Sequence, residues 1–160
     1  MAMQYDVRSK HASVSGLVVD ARTRIKGAVM FPLSTTTGYA TFVDNVSIAG
    51  TYARALNTTT ATITAVNHGL AVGDWAYLDW DLTDNPYQVQ TVADANTFTV
   101  TVANSGATSG NVTVWNDVLL QADASDPVAY NVIVPGEGIL AETGIRVFLP
   151  ANFHTTVFYG

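Results

Sequence analysis

The stretch Ile63-Thr64-Ala65-Val66-Asn67-His68-Gly69-Leu70-Ala71-Val72-Gly73-Asp74, followed by Trp75, Tyr77 and Trp80, decides how this chain folds. Two strand-like runs meet at a polar His-Gly turn, and a second turn carries Gly73-Asp74. The unit closes with Tyr87-Gln88-Val89-Gln90-Thr91-Val92 and then Asp94-Ala95-Asn96-Thr97-Phe98-Thr99-Val100, where Asn96 opens the last strand. From Thr60 to Val102 this grammar describes a small β-unit set into a second β-domain. Nothing in it has the form of a reaction centre.

At 160 residues the chain has room for one domain with a modest insertion. Charged residues make up 12% of it, about half the usual share, while hydrophobic residues reach 48%. So sparse a charge points to a surface largely covered by other copies or by another protein. Threonine and valine are abundant and long helix formers are scarce, which favours strands. With no cysteine there is neither a disulfide framework nor a thiolate metal site. No run approaches the ~18 apolar residues of a membrane helix, and the first residues lack the regions of a cleaved signal. The expectation is a protein made and assembled in a cytoplasm, with no membrane partner.

The net charge of −6 is unevenly spread. Arg8, Lys10, Arg22, Arg24 and Lys26 lie near the start, and only Arg54 and Arg146 follow. Between Leu56 and Val114 there is no lysine or arginine, but Asp74, Asp79, Asp81, Asp84 and Asp94 are present. Nucleic acid would be repelled by that insert, so the five early cations are expected to dock a protein partner instead.

Short alternating segments run along the rest. They are Met3 to Val7, Val14 to Val19, Thr23 to Phe31, Tyr39 to Val43, Ile48 to Arg54, Val118 to Ala122, Val128 to Val134, Ile145 to Leu149 and Thr155 to Tyr159. Turn signals separate them: the threonine-rich Ser34 to Gly38, Asp44-Asn45, Asp126-Pro127 and Pro135-Gly136-Glu137-Gly138. Such spacing predicts an all-β fold, a jelly-roll-like β-sandwich with a small inserted β-barrel-like domain. Residues 1–56 and 114–160 form the discontinuous sandwich, and 57–113 form the insert, which leaves and re-enters through polar stretches at Asn57-Thr58-Thr59 and Ser105 to Gly110. A unit this small needs a dense core, which Trp75, Tyr77, Trp80, Tyr87 and Phe98 are expected to supply.

The chemical candidates each have a plainer reading. His68 lacks histidine neighbours in sequence, so its ring is expected to bond the turn backbone while Gly69 takes a positive φ. Asp79, Asp81 and Asp84 are hard oxygen donors at a spacing that could hold calcium, but the glycine and glutamate of an EF-hand loop are missing. A solvated acidic loop at an exposed tip of the insert is the preferred reading. Gly136-Glu137-Gly138 is too short for a phosphate loop and reads as a tight turn, with Glu137 exposed or paired to Arg146. Trp75 and Trp80 could stack on sugar rings if exposed, although core positions are the simpler expectation. There is no G-x-S-x-G elbow. No catalytic residue, cofactor or metal is expected.

Met3-Gln4-Tyr5-Asp6-Val7 with Arg24-Ile25-Lys26-Gly27, and above all Ile133-Val134-Pro135-Gly136-Glu137-Gly138-Ile139 with Val157-Phe158-Tyr159-Gly160, resemble small β-sandwich virion proteins of tailed bacteriophages. Family members are close in length to this chain with its insert removed. The insert resembles the Asn-His-Gly-Leu…Gly-Asp…Asn-Thr-Phe-Thr-Val unit of phage tail, neck and capsid-associated proteins. The resemblance implies a structural role without catalytic residues. It implies a capsid decoration or cement protein on the virion surface, bound to the major capsid protein and to itself, with a trimer as the first expectation. The alternatives are a neck or tail adaptor or ring, and a host-surface or glycan-binding module.

Overall fold

The computed structural model describes residues 7–34, 38–104, 106–123 and 127–160. Residues 3–6 of the expected first segment, the centre of the 34–38 turn, Ser105 and Asp126 lie outside the described residues. In chain order the strands are β1 (Arg8–Ala12), β2 (Gly16–Val19), β3 (Thr23–Pro32), β4 (Tyr39–Asp44), β5 (Ile48–Arg54), β6 (Thr60–Ala65), β7 (Trp75–Trp80), β8 (Asn85–Asp94), β9 (Thr97–Thr101), β10 (Ser109–Trp115), β11 (Val118–Asp123), β12 (Tyr130–Ile133), β13 (Ile139–Ala141), β14 (Ile145–Phe148) and β15 (Phe153–Tyr159). Among the described residues there is no helix, and so none long and apolar enough to cross a membrane. The fold is all-β, as the alternation predicts.

Two compact units divide the chain: Val46–Val118, and Met1–Asn45 with Leu119–Gly160. The second is a sandwich. One sheet runs β1-β15-β3-β12, with β13 also on β3, and the other runs β11-β4-β14-β2. Period-two alternation turns one face of each sheet inward. Ala28 and Met30 of β3 and Phe153 and Val157 of β15 thereby meet Phe42 of β4 and Ile145 and Val147 of β14 in one buried cluster, and a register shift opposite Phe158 and Tyr159 brings Ile25 to the same face. Each large side chain so buried contributes about 1.5–3 kcal/mol. The β1 and β13 strands were not expected from sequence. β1 is mostly exposed and polar, and β13 has three residues, so neither carries a readable period.

The Val46–Val118 unit is a closed antiparallel barrel, β10-β5-β6-β9-β8-β7 and back to β10. It is wider than the 57–113 span expected, and β5 and β10 are the reason. They pair with each other from Ser109↔Ala53 to Val114↔Ile48, so the strand assigned to the sandwich is a stave of the barrel. The chain therefore crosses between units near Asn45 and Val118. The polar stretch at 57–59 is a loop within the barrel, and of the second stretch Ser109 and Gly110 already belong to β10.

Inside the barrel lie Tyr52, Ala61, Ile63, Ala76, Leu78, Trp80, Phe98, Val100, Val112 and Val114. Tyr52 and Trp80 meet edge to face at 5.0 Å, and Trp80 and Tyr87 at 5.3 Å. Gly50 lets β5 and β6 approach closely, since a Cβ there would come within 2.4 Å of the Thr64 carbonyl oxygen. The expected aromatic core needs one correction. Phe98 and Trp80 are central and Tyr87 packs against them, but Trp75 is 43% exposed. Tyr77 is buried outside the interior cluster. On β7 the inward parity belongs to Ala76, Leu78 and Trp80, which turns Trp75 and Tyr77 the other way.

Candidate functional site

The motif that decides the fold builds one end of the barrel. Asn67 and Gly69 both take positive φ, 54° and 69°, and reverse the chain around His68. The His68 ring is 1% exposed and meets Phe98 edge to face at 4.9 Å. Its Nδ1 accepts the Leu70 N–H at 3.0 Å, so Nε2 carries the proton and donates to the Asp94 carbonyl at 3.2 Å. Asn116 Nδ2 caps the His68 carbonyl at 2.8 Å. Asn96 Oδ1 accepts the Asn67 N–H at 2.9 Å, while Asp94 Oδ1 accepts the Asn96 N–H at 2.7 Å. In the next turn Asp74 Oδ2 accepts the Ala71 N–H at 2.8 Å, and Gly73 and Asp74 bond the Val89 backbone. Both ring nitrogens of His68 are thus committed to the backbone, and the expected turn role holds. A depression of about 280 Å³ beside it is lined by Asn67, Leu70, Val92 and Ala95.

A second group of contacts secures the barrel at the 55–59 loop and at Gly106 and Ala107. Arg54 is 6% exposed, and its guanidinium donates to carbonyl oxygens: Nη1 to Thr58 at 2.9 Å and Nη2 to Gly106 at 2.9 Å. Sequence reading treated Arg54 only as a late cation. No local pattern shows that a lone arginine in an acidic segment will serve as a loop clamp.

Asp79, Asp81 and Asp84 are exposed, but Asp79 sits on β7 and not in an acidic loop. Asp79 pairs across to Thr113 on β10, Asp81 lies beyond the strand end against Gly110, and Asp84 Oδ1 accepts the Trp80 N–H at 2.9 Å. Thr83 completes that turn by accepting from Trp80 Nε1 and the Tyr87 hydroxyl. Burial, and then the charges of Asp84 and Asp79, push the Tyr77 hydroxyl well above the ordinary phenol range. Among the described residues no three His, Asp or Glu side chains gather where a cation could sit.

The early cations are mostly occupied. Lys10 Nζ donates to the Leu17 and Val18 carbonyls at 3.1 Å each, Arg24 to Gly138 at 3.2 Å, and Lys26 to Glu137 at 2.9 Å. Arg22 forms an exposed ion pair with Glu142 at 2.7 Å. Arg24 and Lys26 therefore strap the 135–138 turn onto β3. Arg8 lies exposed on the edge strand β1. Glu137 is exposed, and Arg146 Nε donates to Asn45 Oδ1 at 3.3 Å.

Comparison with known protein families, curated proteins and solved structures finds no match for this chain. Two features escaped sequence reading. His11 and His154, near opposite termini, come together edge to face at 5.4 Å, next to Phe31. A groove of about 410 Å³ lies along β3 and β12, lined by Lys26, Val29, Val132, Ile133 and Phe158 among others. Ile133, on an edge strand, is 83% exposed. The alternation of residues 128–134 showed a strand but not its edge position.

Proposed function

We propose that this chain is a structural protein of a tailed-phage virion, a decoration or cement protein that binds the lattice of the major capsid protein and stabilises the head. The observation that carries the reading is the apolar groove at the β12 edge of the sandwich. Ile133, Val132, Val29 and Phe158 line it, and the exposed Leu33, Phe31 and Val128 belong to the same unit. Unpaired backbone at an edge strand beside apolar side chains is a template for another chain. A sequence with 12% charged residues does little to guard such an edge. The terminal motifs quoted above, with their likeness to phage virion proteins, supply the partner.

In this reading the sandwich contacts the capsid protein and neighbouring copies, assembled in the host cytoplasm with closed symmetry, a trimer first. Arg8 and the groove carry the docking. Lys10, Arg22, Arg24 and Lys26 support it by holding the turns and strands around it. The chain works by shape and contact, with no bond-making step.

The cementing role is tested by heating capsids assembled with and without the protein. Capsids lacking it release DNA at a lower temperature, and adding back purified protein restores the difference. Identical release curves would contradict cementing. Incorporation in only a few copies per particle would move the chain to the neck or tail.

A further inference from the structure

We infer that the outer face of the barrel around Trp75 is a platform for neutral pyranose rings. This goes beyond the virion reading and does not depend on where in a particle the chain sits. Trp75 stands 43% exposed on β7 while Trp80 of the same strand is buried in the core. An indole left in water on a regular strand is a large, rigid, amphipathic contact surface. Its direct cross-strand neighbour is Gln88 on β8, with Gln90 exposed two residues further along.

Both amides are already tethered through their nitrogens. Gln88 Nε2 donates to the Gly73 carbonyl at 3.1 Å, and Gln90 Nε2 donates to the Gln88 carbonyl at 3.2 Å. Each keeps an oxygen acceptor and a second N–H donor for a ligand. The tethering lowers the entropy lost when they bind. A flat aromatic face flanked by fixed amides matches a sugar ring, whose C–H face stacks and whose hydroxyls donate and accept.

Charge narrows the class. Arg54 is the barrel unit's one lysine or arginine, and it is buried on loop carbonyls, whereas Asp74 adjoins Trp75 in sequence. Sialylated or phosphorylated sugars would meet no cation here, and neutral hexoses are not penalised.

The test is isothermal titration of the full chain with maltohexaose, cellohexaose, chitotetraose and sialyllactose. At least one neutral oligosaccharide binds, with a Kd of about 0.1–1 mM. Trp75→Ala weakens that binding tenfold or more with melting unchanged, and Gln88→Ala weakens it several-fold. Silence from all three neutral sugars would overturn the inference, as would a Trp75→Ala protein that binds like the parent, or a preference for sialyllactose. A Trp75→Ala chain that fails to enter particles, with no sugar binding by the parent, would make the face a protein contact and likewise overturn it.

Discussion

Asp44→Ala loses about 4 kcal/mol of sandwich stability, because its carboxylate is the common acceptor for a whole turn. Asp44 ends β4, is 4% exposed, and accepts the backbone N–H groups of Glu142 at 2.6 Å, Thr143 at 3.0 Å and Gly144 at 3.1 Å, with the Thr143 hydroxyl as well. Truncation strands these donors around a cavity. Asp44→Asn keeps one acceptor oxygen but turns an amide N–H₂ toward donors, and costs roughly half as much.

The same cage fixes a pH dependence. Burial alone would raise the Asp44 pKa, but the hydrogen bonds from Thr143, Glu142 and Asn45 together outweigh it and hold the group below its ordinary value. A carboxylate with a depressed folded pKa contributes its stability above the unfolded pKa of about 3.9, and loses it as pH falls through the folded value. Acid unfolding of the sandwich below about pH 4 is therefore steeper in the parent than in Asp44→Asn. Urea melts by circular dichroism across that range check both points. A variant as stable as the parent, with the same acid limb, would show that the cage carries no load.

His68→Ala produces the second large loss, about 3 kcal/mol, confined to the barrel. Removing the ring leaves the Leu70 N–H and the Asp94 carbonyl without their partner and opens a void against Phe98. His68→Asn can restore an acceptor near the Nδ1 position and recovers part of the loss. All three tryptophans, at 75, 80 and 115, lie in the barrel unit and none in the sandwich. Tryptophan emission therefore follows the barrel alone, and shifts in His68→Ala while Asp44→Ala leaves it in place. A His68→Ala barrel that melts with the parent would mean the ring is spare, reopening it as a functional group.

Much of this was legible in the sequence, for identifiable reasons. Alternation is a local property, so the runs from Thr23 and Tyr39, like those from Ile48 and Ile145, appear as β3, β4, β5 and β14 within a residue or two. The Asn67-His68-Gly69 turn was also readable, because positive φ and ring-to-backbone bonding involve near neighbours. Sheet membership was not. A strand's period says nothing of its partner, so β5 was placed in the sandwich although it pairs with β10 some 60 residues on. Asp44-Asn45 reads as a turn, yet the donors that make Asp44 matter lie about 100 residues away. The outward turn of Trp75 was legible: it lies five positions before Trp80, an odd offset that puts the two on opposite faces of one strand. Both could not have filled the same core.

We propose that this polypeptide is a permanent part of an assembled particle. Quantitative mass measurement of purified virions tests it most directly. The account predicts the intact chain in every particle, at a copy number in fixed proportion to the major capsid protein. Its absence from purified particles, with the chain recovered only as free protein in infected-cell lysate, would contradict it.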